Sequence, residues 1–119
     1  MTIEIQFIEG KKEEILPIIK LTKSKNGKTG TATFVFIYPK SIIGYTNYTN
    51  KPIIGMVLVS SNKKILTTDV TIYFREGKPF LVKAILIFKN SKEWFEFLSF
   101  MNLYSKETGL SFSEKNSTS

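Results

Sequence analysis

The sequence predicts an α+β domain: an antiparallel β-sheet of meanders and hairpins, with one C-terminal α-helix packed on a face and short helical turns in the loops. Three observations predict it. Apolar and polar residues alternate with period two in several short segments bounded by turn residues. A single longer segment, Ser91–Thr108, instead repeats its apolar residues at helical spacing. Finally, 42% of the 119 residues are apolar, enough to bury a core. No apolar run exceeds five residues (Phe34–Tyr38 and Ala84–Phe88 are the longest), far short of the roughly 20 that a membrane-spanning helix needs. Residues 1–112 are read as one domain and residues 113–119 as a flexible C-terminal tail.

The elements follow in order. Thr2–Phe7 sets Ile3, Ile5 and Phe7 against Glu4 and Gln6, a half-buried strand. Glu9–Leu16 is charged and ends at Pro17, so it reads as a loop or one helical turn. Ile18–Ser24 is a second strand. Asn26-Gly27 is the strongest short turn signal in the chain. Thr31–Tyr38 puts Ala32, Phe34, Phe36 and Tyr38 on one face. Pro39–Pro52, with Gly44 and two asparagines, is a loop with one short helical turn. Ile53–Val59 is a strand, Ser60–Lys64 a turn, and Ile65–Phe74 an alternating strand with Leu66, Thr68, Val70, Ile72 and Phe74 on one side. Glu76-Gly77 turns the chain into a strand whose inner face, Phe80 to Phe88, is wholly apolar. Lys83 and Lys89 accompany Leu81, Ile85 and Ile87 on its other face. These last three strands form an antiparallel meander.

The helix begins at an Asn90 or Ser91 cap with Glu93 near its positive end. It ends at Gly109. Trp94, Phe97, Leu98, Met101 and Tyr104 make its buried stripe. Phe95 and Leu103 fall outside that stripe and read as extra core under a covering strand, as partner contacts, or as tolerated drift. Leu110–Ser113 is a candidate for one more short strand.

Composition excludes whole classes of chemistry. The chain has no cysteine and no histidine, which removes disulfides, thiolate nucleophiles, the usual zinc ligands and the commonest general base. Its ten acids are scattered, mostly over loops and solvent faces, with no grouping that fits magnesium or calcium. Asp69, the sole aspartate, reads as mid-strand on the polar side. Lys83 is the one lysine on a largely apolar strand face, where snorkelling to solvent outweighs nucleophilic use. The sequence therefore predicts neither an enzyme nor a bound cofactor or metal. The start M-T-I-E-I-Q-F lacks the basic-then-apolar block of a signal peptide and the arginines of a transit peptide.

Formal charge is +7, from sixteen lysines and the single arginine Arg75. Such a balance favours acidic partners or anionic surfaces. Abundant Lys, Ile, Asn, Phe and Tyr beside scarce Ala and Arg also carry the imprint of an AT-rich genome, which accounts for lysine without any partner.

The candidate site is the run from Lys23 to Gly30. Lys23, Lys25, Asn26, Gly27, Lys28 and Thr29 form a basic turn that leads into an aromatic strand. A phosphate-binding P-loop needs G-x-x-x-x-G-K-[ST] followed by a helix; here Gly27-Lys28-Thr29-Gly30 precedes a strand, so that reading fails. Three others stay open. The turn can be an exposed hairpin with solvated lysines, or a basic docking loop for an acidic protein surface. Alternatively, its lysines beside Phe34 and Phe36 can belong to a basic nucleic-acid-binding domain. The alternation of those two rings fits core positions better than a stacking platform, and arginine is nearly absent.

At this same run the sequence resembles a known family. Leu21-Thr22-Lys23-Ser24-Lys25-Asn26-Gly27 followed by Gly30-Thr31-Ala32-Thr33-Phe34-x-Phe36 is similar to the signature of small photosystem II assembly proteins, the Psb family numbered twenty-eight, of cyanobacteria and plastids. The resemblance covers nearly the whole chain. It takes in Ile5-Gln6-Phe7, Gly55-Met56, Gly77-x-Pro79, then Trp94, Phe97, Phe100, Met101 and Tyr104, and closes on Gly109-Leu110-x-Phe112. The chain departs from the family pattern at Lys23 and Lys25, where arginine is associated with the signature, and bidentate pairing to carboxylates is lost there. Phe95 and Leu103 are more apolar than the family helix.

The resemblance implies a monomeric, cofactor-free, non-catalytic assembly factor. It would bind transiently to photosystem II intermediates and contact the larger inner-antenna chlorophyll protein and reaction-centre subunits. It would be peripheral on the stromal side of plastid thylakoids, or on the cytoplasmic side in a cyanobacterium. Joined to the AT-rich composition and the absence of a transit peptide, it points to a plastid-encoded copy, with an AT-rich marine cyanobacterium as the alternative. On physical grounds, the exposed basic turn is the expected docking site, with Lys23, Lys25, Asn26, Gly27, Lys28 and Thr29 as its residues and no nucleic acid as partner.

Overall fold

The computed structural model describes residues 3–43, 53–61, 63–110 and 113–116. Among them the elements run β1 (Glu4–Ile8), β2 (Lys11–Lys12), β3 (Ile18–Lys23), β4 (Gly30–Ile37), α1 (Lys40–Ile43), β5 (Ile53–Ser60), β6 (Lys63–Thr67), β7 (Val70–Arg75), β8 (Lys78–Phe88), α2 (Ser91–Thr108) and β9 (Ser113–Asn116). The α+β class is as expected. The strands divide between two sheets rather than forming one: β2-β1-β5-β6 and β7-β8-β4-β3-β9. All pairings are antiparallel except β3 with β9, which run parallel.

The division is made inside the segment expected to be one strand, Ile65–Phe74. β6 ends at Thr67 on the first sheet and β7 begins at Val70 on the second. Between them the alternation loses its frame. Thr67 is buried while Leu66 is 55% exposed, the reverse of the expected faces. The Thr67 hydroxyl donates to the Ile85 carbonyl (2.7 Å) and accepts from the Asp69 N–H (3.1 Å), which satisfies a polar side chain turned inward. The Asp69 carbonyl in turn accepts from the Ile85 N–H at 3.0 Å. Asp69 thus lies exposed at the break between sheets and not in mid-strand.

Gly55, on β5, sits against this crossing. Its φ is +124°, and a Cβ there would lie 2.3 Å from the Thr67 carbonyl oxygen. Only glycine admits both the backbone angle and the close approach.

The core lies where the sheets and α2 meet. Phe7 of the first sheet meets Phe36 of the second edge-on, with ring centroids 4.9 Å apart. Phe97 of α2 packs on Phe34 (6.1 Å) and Phe88 (4.7 Å), and Trp94 packs on Phe88 (5.6 Å). Each large ring withdrawn from water contributes about 2–3 kcal/mol. The buried face of α2 is Trp94, Phe97, Phe100, Met101 and Tyr104; Leu98 is half-buried. The helix is capped as expected. The Asn90 side chain accepts from the Glu93 N–H at 2.9 Å, and Gly109, at φ +76°, donates its N–H to the Ser105 carbonyl at 2.8 Å.

At the chain's end, β9 falls at Ser113–Asn116, where a tail was expected, and pairs with Lys20–Lys23 of β3. Most of the expected loop 39–52 lies outside the described residues. Its one described helical piece is α1.

Candidate partner-binding surface

Lys23, the last residue of β3, and Lys25, Asn26, Gly27, Lys28 and Thr29 of the loop joining β3 to β4 come together at one end of the second sheet. The last strand pair is Lys23 with Gly30, so six residues separate the strands and Asn26-Gly27 is not a two-residue turn. Side-chain acceptors explain the larger loop. Asn26 Oδ1 accepts from the Ser24 hydroxyl (2.7 Å) and from the Lys28 N–H (2.9 Å). Ser24 Oγ accepts from the Thr29 N–H (3.2 Å), while the Ser24 N–H donates to the Thr29 carbonyl and the Gly27 N–H to the Ser24 carbonyl, both at 3.0 Å. Short polar side chains that bond to the local backbone favour such turns. Gly27 takes the left-handed conformation, φ +71°. Lys25 and Lys28 are exposed and Lys23 is half-buried. The loop therefore holds itself in shape while it presents its lysines.

The aromatic side of the candidate site is not available to a ligand. Phe34 and Phe36 are wholly buried, engaged with Phe97 and Phe7. Rings so placed cannot stack on nucleobases.

Several other expectations change. Glu13, read as a solvated loop carboxylate, is buried. Its Oε2 accepts from the backbone N–H of Ile15 (2.8 Å) and Lys40 (3.0 Å); its Oε1 accepts from the Ser41 N–H (3.0 Å) and hydroxyl (2.6 Å). It closes the N-terminus of α1, because Pro39, just before that helix, has no acceptor side chain to do so. Burial, reinforced by the Glu13 charge, pushes the Tyr104 phenol up to about 12. Phe95 (58% exposed) and Leu103 (38%) are not core. They border a groove of about 430 Å³ between α2 and the first sheet, spanned by an exposed Lys63–Glu96 ion pair of 2.5 Å. That lysine holds the Glu96 carboxyl below its ordinary range.

The feature that sequence reasoning missed is the second sheet's outer face, opposite α2. Ile18, Ile37, Tyr73 and Ile87 are all exposed there. The signal was in the sequence: the outward face of β8 carries Leu81, Ile85 and Ile87, more apolar than a solvated strand face requires. Among the described residues no acidic cluster could hold a metal ion, and no helix is long and apolar enough to cross a membrane.

A family model described as "Psb28 protein" matches residues 5–112. The chain belongs to the Psb28 family. Among its relatives is the photosystem II reaction center Psb28 protein of Prochlorococcus marinus (strain MIT 9215), 41% identical over 114 residues, covering 96% of this chain and 95% of that one. The Psb28 protein of Guillardia theta is 39% identical over 114 residues, 96% and 97% of the two chains. That of Pyropia yezoensis is 40% identical over 113 residues, 95% and 97%.

Two residues of the Psb28 signature prove to be packing partners. A Cβ on Gly30 would lie 2.6 Å from the Trp94 ring, so the glycine at the start of β4 and the tryptophan of α2 fit only as a pair. The buried indole N–H has no acceptor among the described residues.

Proposed function

We propose that this chain is a non-catalytic photosystem II assembly factor. It binds transiently to assembly intermediates on the stromal side of plastid thylakoids, or on the cytoplasmic side of cyanobacterial ones. The supporting observation is membership of the Psb28 family over nearly the full chain, whose relatives bear the name of the photosystem II reaction center. The partners we infer are the larger inner-antenna chlorophyll protein and the reaction-centre subunits. The association is peripheral.

The mechanism has two parts. The loop lysines Lys23, Lys25 and Lys28 steer the encounter with an acidic surface; charges screened by solvent act mainly on association rate. Backbone groups on a strand edge then take up an extended partner segment by strand addition. On the second sheet β9 covers the β3 edge and β7 forms the opposite one, six residues long with Phe74 61% exposed.

The test is an affinity pull-down from solubilised thylakoids. The tagged chain should co-purify photosystem II subunits, and reversal of all three lysines to glutamate should reduce the yield at low salt by tenfold or more. An unchanged yield sinks the steering role. Capture of no photosystem II subunit by the unaltered chain sinks the function.

A further inference from the structure

The outer face of the second sheet carries a shallow groove of about 360 Å³. Its apolar walls include Ile18 of β3, Val35 of β4, Leu81 of β8 and Tyr73 of β7. Its lining also holds two lysines, Lys20 and Lys83, and no acid. Register fixes where the lysines stand. Lys83 pairs across β4 with Val35, and Lys20 pairs with Thr33, so they flank one strand from opposite sides, two residues apart along it. Strand spacing and rise put their Cα positions about 12 Å apart. Two side chains of this length can meet over a single carboxylate.

The arrangement selects among occupants. In an isologous pair the second copy would bring the same two lysines to the same patch, charge against like charge. A membrane-surface site carries its cations at the rim around protruding apolar residues; here one cation, Lys83, stands inside the groove between Leu81 and Val35, with Lys20 at its β3 side. We propose that this groove docks a segment of a partner protein that is apolar apart from a carboxylate seated between Lys20 and Lys83. The inference rests on the reading of the chain as a photosystem II binding protein and adds to it a second contact surface with its own specificity. The carboxylate supplies register and the apolar walls supply burial. The groove shares strands β3 and β4 with the basic loop, so one partner can engage both.

The test uses two full-length variants. In one, Tyr73 is replaced by the photo-crosslinking residue benzoylphenylalanine; in the other, Lys20→Ala is combined with Lys83→Ala. Both changes face outward, and Trp94 fluorescence verifies that the core is intact. After irradiation in solubilised thylakoids, the expected product is a photosystem II subunit crosslinked through a peptide with Asp or Glu between apolar residues. The lysine double variant should lose tenfold or more of the co-purified complex. Crosslinking to a second copy of the chain or to lipid overturns the proposal. So does full capture of photosystem II by the double variant with no crosslink at position 73, a result that leaves the assembly function standing. If the unaltered chain captures no photosystem II, the function fails and the groove's assignment falls with it.

Discussion

Glu13 offers the sharpest test of the fold, because one carboxylate serves four donors. The perturbation is Glu13→Gln, which preserves shape and removes one acceptor oxygen. Each oxygen now accepts two hydrogen bonds: Oε2 from Ile15 and Lys40, Oε1 from the Ser41 N–H and hydroxyl. Whichever way the amide is turned, its NH2 faces donors. If it replaces Oε2, two backbone N–H groups lose their acceptor. If it replaces Oε1, the hydroxyl can rotate to accept, and only the Ser41 N–H is orphaned. A charge-assisted hydrogen bond contributes about 1.5–3 kcal/mol net, and a buried orphan donor costs about 1–3 kcal/mol. The cheaper orientation therefore costs about 2–4 kcal/mol, even after the relief of no longer burying a charge. With a urea m-value of about 1.5 kcal/mol/M for a chain of this size, the midpoint falls by about 2 M with m unchanged. The assay is equilibrium urea unfolding followed by Trp94 emission, since the chain has one tryptophan and it is buried. A midpoint within about 0.3 M of the unaltered chain would refute the claim that Glu13 closes α1 and ties it to the segment after β2.

Three further outcomes are expected. Gly30→Ala forces a Cβ to within 2.6 Å of the Trp94 ring, so it should destabilise by about 1–3 kcal/mol or more and shift Trp94 emission; unchanged thermal unfolding would remove the packing argument. Tyr104 has its phenol raised to about 12, against about 10 in the unfolded chain, so the folded state holds the proton longer and stability falls as pH rises from 10 to 12, by up to about 2–3 kcal/mol. Urea titrations across that window should show the fall, and Tyr104→Phe should remove it. Glu76 adopts φ +53° beside Gly77 at +78° in the two-residue turn between Arg75 and Lys78; Glu76→Asn, better suited to that angle, should raise the urea midpoint by an amount equivalent to about 0.5 kcal/mol.

Much of the fold is legible in the sequence because its signals are local. Asn90 and Gly109 bracket α2 where capping chemistry puts them, and the alternation of Ala32, Phe34 and Phe36 correctly assigns those side chains to the core. Non-local arrangements are not legible. The alternation of Ile65–Phe74 runs on in sequence, yet the chain changes sheets at Thr68 and Asp69, and periodicity carries no information about which sheet a strand joins. Glu13 reads as solvated because three of its four donors belong to Lys40 and Ser41, 27 and 28 residues away. The basic loop was legible as a unit, since Lys23 to Thr29 are contiguous. The outer-face groove was not: its residues come from four strands, and only the pairing register brings Ile18, Val35, Lys83 and Tyr73 to one surface.

Lys25 and Lys28 of the loop differ in environment from Lys83 of the groove, and that difference has a kinetic signature. Lys25 and Lys28 are exposed, so bulk salt screens them over about 8 Å at physiological ionic strength. Charges of this kind raise the rate of encounter and contribute little once a complex has formed. Lys83 is half-buried between apolar neighbours, and a docked segment would strip water from it further. A charge pair made there would be desolvated and would govern dissociation. Binding of isolated photosystem II intermediates to the immobilised chain separates the two effects. Reversal of Lys25 and Lys28 should lower the association rate by about tenfold at low salt, flatten its salt dependence, and leave dissociation within about twofold. Lys83→Ala should do the opposite, raising the dissociation rate by tenfold or more with the salt slope of association preserved. Equal effects of both changes on association alone would mean that the groove is no more than an extension of the basic loop's field. Equal effects on dissociation alone would mean that the loop is itself buried in the complex and does not steer.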